Sequence, residues 1–337
     1  MINILEVNPN PNDAMSLYRG RGPLIRLQKK YRDEIQIHPG GRQVSTEWDF
    51  LNLFDMVFIM RPSNNEHLNL IKACKSFDIP VWSDYDDLLS DIPVNNPAYF
   101  VSHNSKEYQQ RIEEILKLSD FITFSTPKLK EVMGKNVLKK SYVIPNGLDR
   151  KLFKTPKVVG TDPKILWRGG STHVRDIFEF RDPIVPTLRK SEWVMEFMGH
   201  NPIEITDYIN AVYTPYMSKA DYFNYLTRIN GKLSIVPLSH RNEDITFNQC
   251  KSNIAWIEST YAGLVVLAPD WEEWRRPGII NYKDKADFGV KLKSMMNGEY
   301  DLESLRQASW KYIKEELNLE TLNKVRYDLI KKHLKEQ

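Results

Sequence analysis

Short apolar runs alternate with amphipathic stretches along nearly the whole chain, and they do so twice. In the first half, strand-like runs fall at 2–7, 56–60, 81–83, 121–125 and 142–145, separated by helical periodicity at 24–31, 66–76, 106–117 and 127–133. In the second half, runs at 164–167, 194–198, 233–237 and 265–268 are separated by a helix from about 176, limited by Pro183 and Pro186, and another at 219–229. The stretch 247–263 reads as a polar loop, a helix carrying Lys251, Ser252 and Glu258, and a stop at Gly263. Such alternation needs crossover connections, hence parallel sheets covered on both faces. Two runs predict an α/β chain with two Rossmann-like domains. The turn signal Pro145-Asn146-Gly147-Leu148-Asp149 sets the boundary. The expected division is 1–150, 151–310 and a helical tail, 311–337, where Ile313, Leu317, Leu322, Leu329 and Ile330 are spaced as buried faces.

The 337 residues have room for both domains, and 41% hydrophobic with 27% charged residues is the balance of a folded, water-soluble chain. Two distant cysteines, Cys74 and Cys250, argue against a disulfide framework and fit a reducing compartment. No apolar run approaches the roughly 20 residues that span a bilayer. The first residues read as a strand and not as a signal peptide. The expected location is therefore the cytoplasm. Net charge is only +3, but nine basic residues crowd 128–157 against Glu131 and Asp149. Arg19, Arg21, Arg26, Lys29, Lys30 and Arg32 form a second cluster. They read either as solvated surface or as attraction for a polyanion, a pyrophosphate or a nucleic acid.

Four segments carry candidate chemistry. At the start of the helix in 247–263, Lys251 and Ser252 meet free N–H groups and the positive end of the helix dipole, a phosphate site. Glu258 lies two turns along the same face, where a carboxylate accepts from a ribose diol. Trp167-Arg168-Gly169-Gly170-Ser171-Thr172-His173 joins a strand to a helix: the glycines admit a phosphate, Arg168 contacts it, and Ser171 or Thr172 caps. Leu17-Tyr18-Arg19-Gly20-Arg21-Gly22-Pro23 is either a loop closing over a donor or acceptor or a flexible loop with two surface arginines. Asp84-Tyr85-Asp86-Asp87 follows a strand, where open α/β sheets bind ligands. Its acids fit a base, an acceptor contact, a divalent metal held by Asp84 and Asp86, or a helix N-cap. Arg61 ends the neighbouring strand. His103 and His200 lie at loop positions able to reach a cleft, although the seven histidines show no metal-ligand spacing. Trp271 and Trp274, near Arg275 and Arg276, read as packing before base stacking.

Taken together these segments resemble the GT-B glycosyltransferases, in their family-four-like branch. The matches are Ile144-Pro145-Asn146-Gly147-Leu148-Asp149, Gly169-Gly170-Ser171-Thr172-His173, Phe247-Asn248 with Lys251-Ser252 and Glu258, and Asp84-Tyr85-Asp86-Asp87-Leu88. The resemblance implies two parallel sheets facing a central cleft, with acceptor on the 1–150 side and sugar donor on the 151–310 side. It also implies a last helix that crosses back to the first domain. Glu258 matches the ribose-binding glutamate, and Arg168 and Lys251 match positions near the diphosphate. One departure stands out. Cys250 occupies the place of a second, sugar-contacting glutamate, for which Asp244 or Asn248 would have to substitute.

The expected activity is transfer from a nucleoside diphosphate sugar, taken as a UDP-sugar, to an acceptor hydroxyl, with retention by family analogy. Asp84, Asp86, Asp87, Arg168 and Lys251 are the candidate catalytic residues. Arg19, Gly20, Arg21, Gly22, Gly169, Gly170, Ser171, Phe247, Asn248, Ser252 and Glu258 are candidates for the donor, and Arg61, His103 and His200 for the acceptor. The favoured acceptor is a 5-hydroxymethylpyrimidine of DNA, as in phage DNA-modifying members, which would place the protein in a host cytoplasm. A cell-surface or lipid-linked glycan is the alternative acceptor. A non-catalytic nucleotide-sugar or nucleic-acid binder is the alternative class. A divalent metal and the oligomeric state are left open.

Overall fold

The computed structural model describes every residue except 9, 11, 12, 42, 98, 100–103, 336 and 337. Six parallel strands form the first sheet: β1 (Ile2–Val7), β2 (Ile35–Gly41), β3 (Met56–Met60), β4 (Val81–Tyr85), β5 (Phe121–Phe124) and β6 (Ser141–Val143), in the order β2-β1-β3-β4-β5-β6. Six more form the second: β7 (Lys164–Gly169), β8 (Val194–Gly199), β9 (Ala211–Pro215), β10 (Leu233–Ile235), β11 (Val265–Pro269) and β12 (Ile280–Tyr282), ordered β12-β11-β10-β7-β8-β9. Every residue of β3, β4, β5 and β11 is buried, as parallel strands covered on both faces must be. The strand order reverses between β1 and β3 in one sheet and between β7 and β10 in the other. Open α/β sheets bind ligands at such switch points, beyond the strands' carboxyl ends.

Two differences from the sequence reading matter for the site. Residues 247–249 are not a loop but the end of a helix, Asn242–Gln249. The chain breaks over 250–253 and resumes as a second helix, Ile254–Tyr261, so Lys251 and Ser252 lie in the turn between them. The tail also divides later than expected. The helix Leu302–Glu316 runs through 310 and stays with the second sheet, where Ile313 packs with Trp256 and Trp256 Nε1 donates to Ser309 Oγ at 3.0 Å. The next helix, Leu319–Lys335, returns to the first sheet. Its Leu322, Leu329 and Ile330 pack with Ile4, Leu24 and Leu27, and Tyr327 stacks on Tyr31 at 3.9 Å.

The chain therefore passes between the sheets twice, and the passages touch. Leu148 N–H donates to the Leu317 carbonyl at 2.8 Å, and Leu319 N–H to the Leu148 carbonyl at 3.0 Å. Gly147 is required there, because a Cβ would lie 2.5 Å from Leu322 Cδ1 and 3.1 Å from the Leu317 carbonyl oxygen. No helix among the described residues is long and apolar enough to cross a membrane.

Candidate active site

Both switch points open onto one cleft of about 660 Å³. Its wall on the second half is built by Arg168-Gly169-Gly170 at the end of β7, Gly199 at the end of β8, Tyr216–Lys219 and Tyr222 beyond β9, and Lys251, Ser252 and Glu258. The first half contributes Asp13, Ala14 and Met15, then Arg61 and the pair Asp86 and Asp87. The ends of β7 and β8 come close because Gly199 adopts φ +97° and a Cβ on it would lie 2.8 Å from the Gly169 carbonyl oxygen. A Cβ at Gly170 would meet no atom within 4 Å, so that backbone is open to a ligand.

Glu258 is the centre of the deep end. It is 3% exposed, and both oxygens are engaged. Tyr18 Oη donates to Oε1 at 2.6 Å, Tyr222 Oη donates to Oε2 at 2.7 Å, and Arg168 Nη2 lies 2.7 Å from Oε2. Burial and then the Glu258 charge push the Tyr18 phenol well above its ordinary value. Tyr222 moves the same way, burial and Glu258 outweighing the opposing Arg168. Burial works against the Arg168 charge, but Glu258, Tyr222 and Tyr18 more than offset it and hold the guanidinium protonated.

A second cluster lies nearer the first half. Lys251 Nζ is 3.2 and 3.3 Å from the Asp87 oxygens and 4.1 Å from the centre of the Phe247 ring. Burial raises the Asp87 pKa, yet Lys251 and then Arg61 win, and the carboxyl sits below its ordinary range. Arg61 clasps Asp86 through Nε and Nη2, with Nη2 to Oδ2 at 2.7 Å. Ser252 Oγ accepts from Asn146 Nδ2 at 2.9 Å. The helix Ile254–Tyr261 has no side-chain cap, and Ile254 and Ala255 line the cleft, so its N-terminal end points at the same space.

The structure separates several residues that the sequence put in the site. Asp84 is not on the cleft wall. It is 1% exposed, paired with Arg19 Nε at 3.0 Å and Nη2 at 2.6 Å, and accepts from Thr123 Oγ1. Neither Arg19 nor Asp84 is placed to touch a ligand, and an Asp84–Asp86 metal pair loses one member to the core and the other to Arg61. Among the described residues no group of three or more His, Cys, Asp and Glu side chains is placed to hold a metal ion. The segment Arg19–Gly22 is no closing loop: Arg21 starts a helix and pairs with Glu6 at 3.1 Å, and a Cβ at Gly20 would lie 2.7 Å from Asn8 Nδ2. A Cβ at Gly22 would collide with the Leu17 carbonyl.

Phe247 and Asn248 also face inward. Phe247 packs with Tyr85 and Cys250, and Asn248 Nδ2 donates to Asp176 Oδ1 at 2.8 Å and to the Ser239 carbonyl at 3.2 Å. Asp244 accepts from Ser239 Oγ at 2.8 Å and is buried. Cys250 is buried, and burial followed by Asp87 pushes its thiol up to about 12. None of the three lines the cleft. Ser171 and His200 are outside the cleft lining, and His103 lies outside the described residues. Trp271 packs on His240 at 4.7 Å, while Trp274 is buried against the cleft floor. Tyr18, Tyr222, Asp13 and His173 were not among the candidates. Two of these carried a signal: His173 as the last residue of the strand-to-helix motif, and Tyr18 as a member of the segment 17–23.

No family model and no curated protein matches the sequence. The likeness to known proteins is one of structure. The Anabaena protein HepE, solved with UDP and glucose, superposes with a TM-score of 0.67 at 11% identity over 98% of this chain and 99% of that one. An α-glucosyltransferase solved with UDP gives 0.63 at 12% identity over 98% and 99% of the two chains. The same kind of enzyme was also solved with UDP and a 13-mer DNA, at a TM-score of 0.62. A putative UDP-N-acetylglucosamine 2-epimerase from Listeria monocytogenes gives 0.61 at 10% identity over 100% and 97%. At such identities superposition reports architecture. Two parallel six-stranded sheets facing one cleft over essentially the full length of these structures are the GT-B fold, and this chain has that fold.

Proposed function

We propose that the chain transfers a sugar from a UDP-sugar to an acceptor hydroxyl. The observation that carries this reading is the convergence at the β7–β10 switch point of Arg168, Lys251, an uncapped helix N-terminus and the buried Glu258. Cations and helix dipole stand where negative charge grows on a departing diphosphate, which is where stabilisation accelerates transfer. Glu258 lies deeper, at the end that takes the ribose. A carboxylate has lone pairs beyond the three contacts it makes here, so a diol can join them. Closing the two halves over this space excludes water and limits hydrolysis of the donor. Asp86 and Asp87, on the facing wall, orient the acceptor hydroxyl. Retention of configuration is carried over from the fold analogy. The likeness to UDP-bound structures supports a uridine nucleotide.

For the acceptor we take a 5-hydroxymethylpyrimidine in DNA. Support comes from the likeness to an α-glucosyltransferase solved with DNA. The two basic clusters also meet in space: Arg26, Lys29 and Lys30 share a pocket of about 190 Å³ with Arg150 and Lys151. A duplex base would have to be flipped out to reach the cleft. The alternative is a glycan hydroxyl. Incubation of the protein with UDP-sugars and either hydroxymethylated DNA, unmodified DNA or a glycan panel decides between them. Sugar incorporated into hydroxymethylated DNA alone is expected. Transfer to a glycan but not to modified DNA rejects the DNA acceptor. Salt-dependent DNA binding without UDP release to any acceptor rejects the transferase reading in favour of a binder.

A further inference from the structure

The short helix Ala14–Tyr18 serves both sides of the cleft. Near its start, Asp13, Ala14 and Met15 line the wall on the first half. At its end Tyr18, 2% exposed, donates to Glu258 Oε1 across the two halves. Within the second half, Tyr222 and Arg168 both hold Oε2. Those contacts reach one oxygen only, and the other, Oε1, is held from the first half by Tyr18. Burial keeps the Tyr18 hydroxyl protonated, so it remains a donor at any working pH.

We propose that Tyr18 is a positioning residue for the nucleotide site, supplied by the opposite half of the molecule. Glu258 is then fully aimed only when the halves are closed, and nucleotide affinity is coupled to closure. Coupling of this kind is reciprocal: nucleotide binding favours the closed cleft by the same factor. The inference rests on reading Glu258 as nucleotide-binding.

Calorimetric titration of the full chain with UDP, for wild type, Tyr18→Phe, Glu258→Ala and the double variant, tests both layers. Tyr18→Phe is expected to weaken UDP about tenfold, the scale of one hydrogen bond to a charged group. Glu258→Ala should weaken it at least as much, and the double variant no further, because Tyr18 acts through Glu258. In turnover with a UDP-sugar, Tyr18→Phe should raise KM and leave kcat within about twofold. Unchanged UDP affinity in Tyr18→Phe beside a weakened Glu258→Ala overturns the inference and spares the nucleotide reading. Additive losses in the double variant overturn it too, since Tyr18 would then act through the fold. Unchanged affinity in Glu258→Ala overturns the nucleotide reading and the inference with it. If Tyr18→Phe melts early, Tyr18→Met repeats the test with apolar bulk and no hydroxyl.

Discussion

Asp84 and Asp87 lie three positions apart and have opposite surroundings. Asp84 is closed into the core with Arg19, whereas the Asp87–Lys251 pair borders the cleft with side chains 31% and 16% exposed. Removing one partner of a buried pair strands the other charge, so Asp84→Asn should cost about 3–5 kcal/mol of unfolding free energy, read by denaturant titration. On the proposed function, Lys251→Ala should melt close to wild type but lower kcat about 10²–10³-fold, since it removes the cation that offsets charge on the leaving diphosphate. Buried His67 and Glu273 set opposing pH slopes. Burial takes His67 from 6.5 down to about 4, so the unfolded chain protonates first and stability falls as pH drops through that window. Burial takes Glu273 from 4.5 up to about 7, so the folded chain keeps a proton that the unfolded chain releases, and stability falls as pH rises across it. Glu273→Gln should therefore gain on wild type steadily between pH 4.5 and 7, checked by thermal melts in a pH series.

Among elements, what the sequence hid lies at the margins. Three strands went unread: β2, β9 and β12, all edge strands. An edge strand is half covered, so it lacks the continuous apolar run that marks β3 or β11. β2 ends in Pro39-Gly40-Gly41, β9 ends in Pro215, and β12 has three residues, so turn signals mask each. Most helices covering the sheets were readable because their apolar periodicity answers directly to burial, but Lys285–Met296, which buries Phe288, Leu292 and Met295 against the second sheet, went unread. The site was legible where backbone chemistry marks it, at Arg168–Gly170, Lys251 and Glu258. It was illegible where a side chain reaches in from another part of the chain. Nothing near Tyr18 in sequence indicates a carboxylate 240 positions away. Arg19 and Asp84 misled for the complementary reason, since charged residues beside a strand end look the same whether they face ligand or each other.

The whole molecule has unequal halves in one respect. Residues 148–317 hold the second sheet and its clusters as one continuous segment, whereas the first sheet needs both the chain's beginning and the helix Leu319–Lys335. A fragment of 148–317 should thus fold by itself, giving a cooperative melt by circular dichroism and binding UDP more weakly than the full chain. A fragment that melts without cooperativity would show that the first half is needed to complete its core. Leu148 and Asn318 sit side by side where the chain leaves and re-enters. Topologically, the second half is an insertion on a two-stranded stem. The backbone joins the halves only through this stem, so any movement of one half against the other has to bend the chain there.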